Sequence, residues 1–207
     1  MASDTTTYIV DDSEFDRFAT AKILSKCGLQ VEEYADAESF LDAFDPNRVG
    51  CLLLDIRMPG FDGPELHERM IARGVRTPII FVSGVANIAT ATEAMRRGAF
   101  DVMEKPLDSE RLFECVQKAL LHSREGLERQ RIALSTRQEL ESLTPKEKEV
   151  LPHICAGQSL KQITANFGVD FTTAARHQSR ILDKLNVASP MQLLKKLQMA
   201  EISMELV

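Results

Sequence analysis

Acidic side chains follow two β-rich segments in the first part of the chain. Asp11 and Asp12 come directly after segment 8–10, and Asp55 comes directly after the apolar segment 51–54. Three carboxylates that lie together repel one another, so a positive partner must offset their charge. Mg²⁺ suits this role because it is a hard cation that takes oxygen ligands. A carboxylate beside such a metal can act as a nucleophile toward a phosphoryl group.

A serine and a lysine further along the chain complete this set. Ser83 follows the apolar segment 79–82, and Lys105 follows the segment 100–103 after one intervening residue. An ammonium can neutralise the charge that builds up on transferring phosphoryl oxygens, and a hydroxyl can hydrogen bond to the attached group. The competing interpretation is a cluster of acids that only caps helices or faces water. The presence of all the positions in this order disfavours it.

Short β-rich segments alternate with helical patterns in this region. Ser13, Asp36 and Asp108 are good N-caps for three of the helices. The alternation predicts an α/β doubly wound, five-stranded parallel sheet that helices cover on both faces. Ligands of such sheets bind at the carboxyl ends of the strands, so the reactive positions should meet at one edge. The predicted strands are 8–10, 31–34, 51–54, 79–82 and 100–103.

The reactive positions and their neighbours form four motifs, which are Asp11-Asp12, segment 55–63 (DIRMPGFDG), Ser83-Gly84 and Lys105-Pro106. Together they resemble the receiver domain of two-component response regulators, and the likeness covers residues 7–122. The resemblance implies a flavodoxin-like receiver domain over residues 1–122. In such a domain, Asp55 accepts a phosphoryl group from a cognate histidine kinase. The Lys105–Pro106 peptide bond is usually cis in this family.

The resemblance also assigns roles to the other positions. Ser83 and Lys105 would contact the phosphoryl group. The Mg²⁺ ligands would be Asp11, Asp12, Asp55 and the backbone carbonyl of Arg57.

One position departs from the usual pattern of the family. An aromatic residue usually stands three positions before the lysine and turns inward on activation, and here that residue is Val102. Strand alternation predicts that Phe100 lies on the same face as Val102, at a different depth. The chain therefore lacks an aromatic side chain at the usual switch position.

The region from Asp108 to about residue 140 has no strand signal. Leu120, Leu127 and Leu134 lie seven residues apart, at helical spacing. We expect one long helix that begins in the first domain and continues as a helical linker over residues 123–142. Gly126, a poor helix former, is the point at which this helix could break.

Residues 143–207 have helical patterns throughout. Thr144 and Glu147 have the spacing of a capping box, and Ser159 and Gln162 repeat it. Gly157 and Gly168 and the other end signals divide this part into four short helices. The sequence therefore predicts an all-α four-helix domain.

Many positions of this helical domain match a known DNA-binding family. They are Leu143-Thr144, Glu147, 149–151, Gly157, Lys161, Ile163, Gly168-Val169, Thr173, His177, 180–182 and Lys184-Leu185. Residues 143–198 resemble the LuxR-type helix-turn-helix of NarL/FixJ-class regulators. The resemblance implies that the helix from about 171 to 185 enters the major groove of double-stranded DNA.

A helical wheel predicts which side of that helix meets DNA. Ala174, Ile181 and Leu185 fall on one stripe that should face the core. Arg176 lies near the middle of the opposite face, and arginine can bond guanine bidentately. The predicted DNA-binding residues are Lys161, Thr172, Thr173, Arg176, Ser179, Arg180 and Lys184, of which Lys161, Thr172, Thr173 and Lys184 are better placed for phosphates.

The charge of the chain differs between its two parts. Residues 1–122 carry 13 basic and 21 acidic side chains, whereas residues 143–207 carry 8 basic and 6 acidic ones. This weak basic excess, with Ala175 where the family often has lysine, predicts low monomer affinity for DNA. We expect homodimerisation on phosphorylation to compensate. Leu193, Leu194 and Leu197 could contribute a dimer contact or complete the core.

Two other functions compete with a phosphorylation-controlled transcription factor. One is a phospho-switched protein-interaction module whose helical domain has lost sequence-specific DNA binding. The other is a hydrolase with an aspartyl nucleophile, which is disfavoured because no inserted segment could form a substrate pocket. We therefore expect a regulator and not an enzyme.

The termini and cysteines indicate the compartment. No signal peptide is evident, and an apolar run such as 79–82 is far too short to span a membrane. The four cysteines have no metal or redox spacing and are expected to be buried, reduced thiols. These features predict a cytoplasmic protein with no membrane partner.

Overall fold

The structure is a computed structural model that describes residues 5–84 and 88–202. The chain forms two compact units, which divide between Leu127 and Glu128. The first unit contains the predicted α/β domain, and the second contains the predicted helical domain.

All five predicted strands form, and they make one parallel sheet in the order β2-β1-β3-β4-β5. The α/β doubly wound prediction is therefore confirmed. The strands are β1 (Thr5–Val10), β2 (Gln30–Tyr34), β3 (Val49–Asp55), β4 (Ile79–Ser83) and β5 (Asp101–Glu104). The helices that accompany them are α1 (Glu14–Lys26), α2 (Ala37–Ala43), α3 (Gly63–Ala72), α4 (Ile88–Arg96) and α5 (Ser109–Glu141).

The sheet separates two apolar clusters, because successive side chains of a strand point to opposite faces. Leu52 and Leu54 pack on one side with residues of α2 and α3, such as Phe40. Leu53 packs on the other side with residues of α1 and α5, such as Leu24. The central strands are thus buried on both faces, which fixes the positions of their carboxyl ends.

The predicted location of Phe100 is wrong. β5 begins at Asp101, so Phe100 precedes the strand and does not follow its alternation. Val102 packs in the cluster on the α3 side of the sheet, whereas Phe100 packs in the cluster on the α5 side. The Phe100 ring lies 5.6 Å from that of His122, centroid to centroid.

The long helix forms without a break at Gly126. Asp108 caps its start, since the Asp108 carboxylate accepts a hydrogen bond of 2.9 Å from the Arg111 amide. The two ends of the predicted linker belong to the domains. The buried Ser123 hydroxyl accepts a hydrogen bond of 3.1 Å from the Gly50 amide, and Leu140 lies in the core of the second unit.

Neither this helix nor any other in the described ranges has both the length and the apolar composition that crossing a membrane requires. The cysteines form no disulfide, and Cys51 and Cys115 are buried as expected. Cys27, in contrast, is exposed, because it caps the end of α1 at the surface.

The second unit contains the four short helices that were predicted, and the end of α5 joins them around one core. Both predicted capping boxes form. Leu193 and Leu197 are buried in the core, so the interpretation as core residues is confirmed for these two. The four helices are α6 (Pro145–Cys155), α7 (Leu160–Phe167), α8 (Phe171–Lys184) and α9 (Pro190–Met199).

Gly63 lies too close to the backbone of Asp55 to carry a side chain. A Cβ atom there would overlap the backbone carbonyl oxygen of Asp55, whereas a Cβ atom at Gly126 would meet nothing within 4 Å. We expect Gly63→Ala to destabilise the first domain by about 2 kcal/mol, the usual effect of overpacking. Gly126→Ala should instead stabilise α5 by about 0.5–1 kcal/mol. Urea unfolding of both variants measures the difference, and equal midpoints would contradict this steric argument.

Candidate functional site

The sheet brings four of the predicted residues to one edge. Asp11 follows β1, Asp55 ends β3, Ser83 ends β4, and Lys105 follows β5. These strands are consecutive neighbours in the sheet. The Lys105 amide donates a hydrogen bond of 2.9 Å to the Ser83 carbonyl, and the Lys105–Pro106 peptide is cis, as expected. The backbone of each residue is therefore positioned by the strand at whose carboxyl end it lies.

The Lys105 ammonium lies at the centre of this edge. Its Nζ is 2.7 Å from Asp11 Oδ2 and 2.8 Å from Asp55 Oδ1. It is also 2.8 Å from Oδ2 of Asp16, which lies in the first turn of α1. An ammonium has three N–H donors, so each donor has one carboxylate acceptor.

Backbone amides orient the two buried carboxylates. The Arg57 amide donates to Asp55 Oδ2 over 2.7 Å. The Ser13 amide donates to Asp11 Oδ1 over 2.9 Å. Each carboxylate thus has one oxygen held by the backbone and the other oxygen directed at Lys105. Such fixed orientation suits a nucleophile and a metal ligand, which must present a lone pair in one direction.

The environment of the site keeps its ammonium charged. Burial alone would lower the pKa of Lys105, but hydrogen bonds to Asp11, Asp16 and Asp55 outweigh burial and raise it. Burial raises the pKa of Asp11, and the bond from Lys105 offsets part of this effect. The site therefore holds a permanent cation among partly desolvated acids.

Other predicted members of the site are placed differently. The Asp12 and Arg57 side chains are exposed, and Ser83 is buried. Among residues 5–84 and 88–202, no three acidic, histidine or cysteine side chains are arranged to enclose a metal ion. Instead, Asp11 and Asp55 converge on the ammonium. The donor set still fits Mg²⁺, because the acids outnumber the lysine and present hard oxygen ligands.

Asp16 is a member of the site that the sequence motifs did not indicate. A weak signal was available, because Asp16 lies one helical turn after Asp12. Its own amide donates to the Ser13 hydroxyl over 3.3 Å at the capped start of α1. The cap therefore fixes the turn from which the Asp16 side chain reaches Lys105.

Helices α7 and α8 form the predicted helix-turn-helix. The connecting turn is 168–170, and Gly168 ends α7 in the left-handed conformation with φ of 62°. Asp170 then caps α8 by accepting a hydrogen bond of 2.9 Å from the Thr173 amide. A three-residue turn with glycine is typical of this motif.

The exposure of α8 agrees with the helical wheel. Ala174, Ile181 and Leu185 are buried in the core of the domain. The residues on the opposite face and Lys161 on α7 are exposed. These exposed residues are Lys161, Thr172, Arg176, Ser179 and Arg180.

Two residues that were predicted to contact phosphates, Lys184 and Thr173, have partners within the domain. The Lys184 Nζ is 2.7 Å from Oε2 of Glu147 and donates to the Ser142 carbonyl over 3.1 Å. Because Glu147 is only 3% exposed, moving Lys184 to a phosphate would leave a buried carboxylate unpaired. The Thr173 hydroxyl donates to Asp170 over 2.7 Å. To reach phosphates, the Lys184 and Thr173 side chains would have to give up these contacts.

Comparison with known families agrees with the division of the chain into two domains. The family "response regulator receiver domain" matches residues 7–117, and the family "bacterial regulatory proteins, luxR family" matches residues 141–197. The chain belongs to the response regulators. It is accordingly a two-component transcriptional regulator, with a receiver domain followed by a LuxR-type DNA-binding domain. Nothing in these matches favours the protein-interaction module.

Three proteins are similar to this response regulator over most of their length. The transcriptional regulatory protein TdiR of Thauera aromatica is 33% identical, over 89% of this chain and 81% of TdiR. The transcriptional regulatory protein FixJ of Bradyrhizobium diazoefficiens is 31% identical, over 91% of this chain and 92% of FixJ. The structure of response regulator StyR superposes with a TM-score of 0.81 at 31% identity, covering 95% and 99% of the two chains.

The Glu147–Lys184 pair should make the helical domain of this response regulator sensitive to acid. Burial works to raise the pKa of Glu147, but hydrogen bonds from Lys184 and Thr144 outweigh burial and hold it below the ordinary value of 4.5. A lowered carboxyl pKa contributes stability at neutral pH that is lost as the pH falls below about 4.5. We expect Glu147→Gln to cost about 1–2 kcal/mol at pH 7 and progressively less as the pH falls below 4.5 through the lowered pKa of Glu147.

Denaturant unfolding at several pH values measures this effect. Glu149→Gln is a matched control, because Glu149 pairs with Lys146 in an exposed ion pair. It should change stability by less than about 0.5 kcal/mol. A Glu147→Gln effect that does not depend on pH would exclude the ion pair as its cause.

Proposed function

We propose that this response regulator accepts a phosphoryl group on Asp55 from a histidine kinase, and that this modification controls DNA binding by α8. One observation carries the first half of the proposal. An oxygen of the buried Asp55 carboxylate lies 2.8 Å from Lys105 Nζ. Both residues lie at the carboxyl ends of the strands, where phosphoryl chemistry is expected. Exposed Arg176 on the outer face of α8 supports the second half.

The proposed reaction is a displacement at phosphorus. An Asp55 oxygen forms a bond to the phosphorus of the kinase phosphohistidine, and the P–N bond breaks. The imidazole nitrogen leaves with the electron pair and is then protonated. Lys105 donates hydrogen bonds to the transferring oxygens and offsets their charge. Ser83 would hydrogen bond to the attached phosphoryl group.

Asp11, Asp12 and Asp55, with the backbone carbonyl of Arg57, would hold Mg²⁺ at this edge. When bound, Mg²⁺ neutralises negative charge on the phosphoryl oxygens. The carboxylate donors and the excess of negative charge support this assignment.

In the proposed DNA complex, Arg176 reads a base edge, with Ser179 and Arg180 beside it. Lys161 and Thr172 contact phosphates, which position the domain without specifying sequence. Because the proposed partners are a kinase and chromosomal DNA, we infer a cytoplasmic location for this regulator. Its proposed role needs no catalytic activity toward a separate substrate.

The first test of this proposal concerns Asp55. Incubation with acetyl phosphate and Mg²⁺ should add one phosphoryl group, detected by intact mass spectrometry. Asp55→Asn should abolish the addition, because the amide is a far weaker nucleophile. Persistence of the modification in Asp55→Asn would show that another residue is the acceptor. Asp62→Asn is the control, since Asp62 caps α3 in the same loop and should remain neutral in this assay.

The second test separates base reading from phosphate contact. Loss of a bidentate arginine–guanine contact costs about 1–3 kcal/mol at one base pair. Arg176→Ala should therefore weaken binding to the preferred site, selected from random DNA, much more than binding to unrelated DNA. Lys161→Ala should weaken both alike and lower the salt dependence by about one unit. If Arg176→Ala weakens both DNAs equally, Arg176 is only a phosphate contact.

The third test concerns homodimerisation on phosphorylation. Beryllofluoride mimics the phosphoryl group, so sedimentation with saturating beryllofluoride and Mg²⁺ should show a dimer of the wild-type chain. Asp55→Asn should remain monomeric under the same conditions. A wild-type monomer that binds the mimic without association would contradict the prediction.

A further inference from the structure

We propose that Asp16 is a positioning residue that holds the Lys105 ammonium while the other partners of Lys105 change during phosphoryl transfer. This inference rests on the proposed phosphorylation of Asp55. It starts from one contact, the 2.8 Å ion pair between Asp16 Oδ2 and Lys105 Nζ.

The three carboxylates around Lys105 have different roles in the proposed reaction. Asp55 would form the bond to phosphorus, so one of its oxygens becomes part of an acyl phosphate. Asp11 would ligate Mg²⁺ and share its oxygens with the metal. Asp16 has neither role, so its ion pair with Lys105 can persist throughout.

The location of Asp16 suits a fixed anchor. It lies in the first turn of α1, where its amide donates to the N-cap hydroxyl of Ser13. The Ser13 amide in turn donates to Asp11 Oδ1 over 2.9 Å. Asp16 and Asp11 are therefore linked through one residue, and both reach Lys105 from a defined backbone.

A lysine side chain needs such an anchor more than an arginine would. It has a flexible four-carbon stem and a point charge, so it loses much rotamer freedom when it is held in one place. With Asp16 present, one N–H stays bound and the other two can turn toward phosphoryl oxygens. Without Asp16, Lys105 must be ordered again in each transfer event, which slows the chemical step.

The Asp16 and Lys105 side chains are 35% and 19% exposed, so water partly screens their interaction. We therefore expect a moderate effect. Asp16→Asn should lower the maximal rate of phosphorylation about three- to tenfold. The donor concentration for half-maximal rate and the affinity for Mg²⁺ should not change, since Asp16 contacts neither.

The experiment uses the full-length chain with acetyl phosphate and Mg²⁺. An Asp55 oxygen bonds to phosphorus, the phosphorus–oxygen bond to the acetyl group breaks, and acetate leaves. Intact mass spectrometry follows the rate at several donor concentrations, and calorimetry measures Mg²⁺ binding in the absence of donor. Asp16→Ala is a second variant that removes both charge and acceptor, and it should be at least as slow as Asp16→Asn.

Glu14→Gln is the matched control. It removes one negative charge from the same first turn of α1, and the Glu14 side chain is exposed. Its rate should equal that of wild type. Equal rates for Asp16→Asn and wild type would overturn the proposal, as would an equal loss in Glu14→Gln. Weaker Mg²⁺ binding in Asp16→Asn would also overturn it, because Asp16 would then act on the metal. If wild type itself takes up no phosphoryl group, the Asp55 assignment fails first and this role falls with it.

Discussion

The ion pairs of the Lys105 ammonium with three carboxylates are the interaction on which the candidate site of the first domain depends. The carboxylates come from the ends of β1 and β3 and from the start of α1. Lys105 itself follows β5, which is separated from β3 by β4. Such a contact requires four strands in a fixed order and register, with their carboxyl ends level. The two apolar clusters on either side of the sheet hold the strands in this arrangement, so the geometry of the site depends on the packing of the core.

Local pattern was enough to predict the strands and the edge at which the motif residues meet. Buried strands leave continuous apolar segments in the sequence, and parallel topology then places the residues that follow them together. Asp16 was missed, because its spacing from Asp12 is only a weak signal and its ion pair depends on the position of the Lys105 ammonium. Phe100 was misplaced because strand alternation holds only after β5 begins at Asp101.

Local sequence pattern also did not show that Lys184 is paired within its own domain. A helical wheel shows which side of α8 faces outward, and it placed Arg176 and Arg180 on that side as the structure does. It cannot show that a buried acid 37 residues earlier in the chain takes Lys184 as its partner. The face available for DNA thus carries fewer free cations than the sequence count suggests. Specific contacts must contribute a larger share of the binding free energy on such a face.

Glu147 has a consequence for how this chain can diverge. Its carboxylate accepts the Thr144 amide over 2.9 Å, which completes the cap of α6, and the same Oε2 atom pairs with Lys184. One atom thus ties the start of one helix to the end of another. Aspartate at 147 would be too short for both contacts, and glutamine would keep the cap while losing the charge. Positions 144, 147 and 184 should therefore vary together among descendants of this sequence.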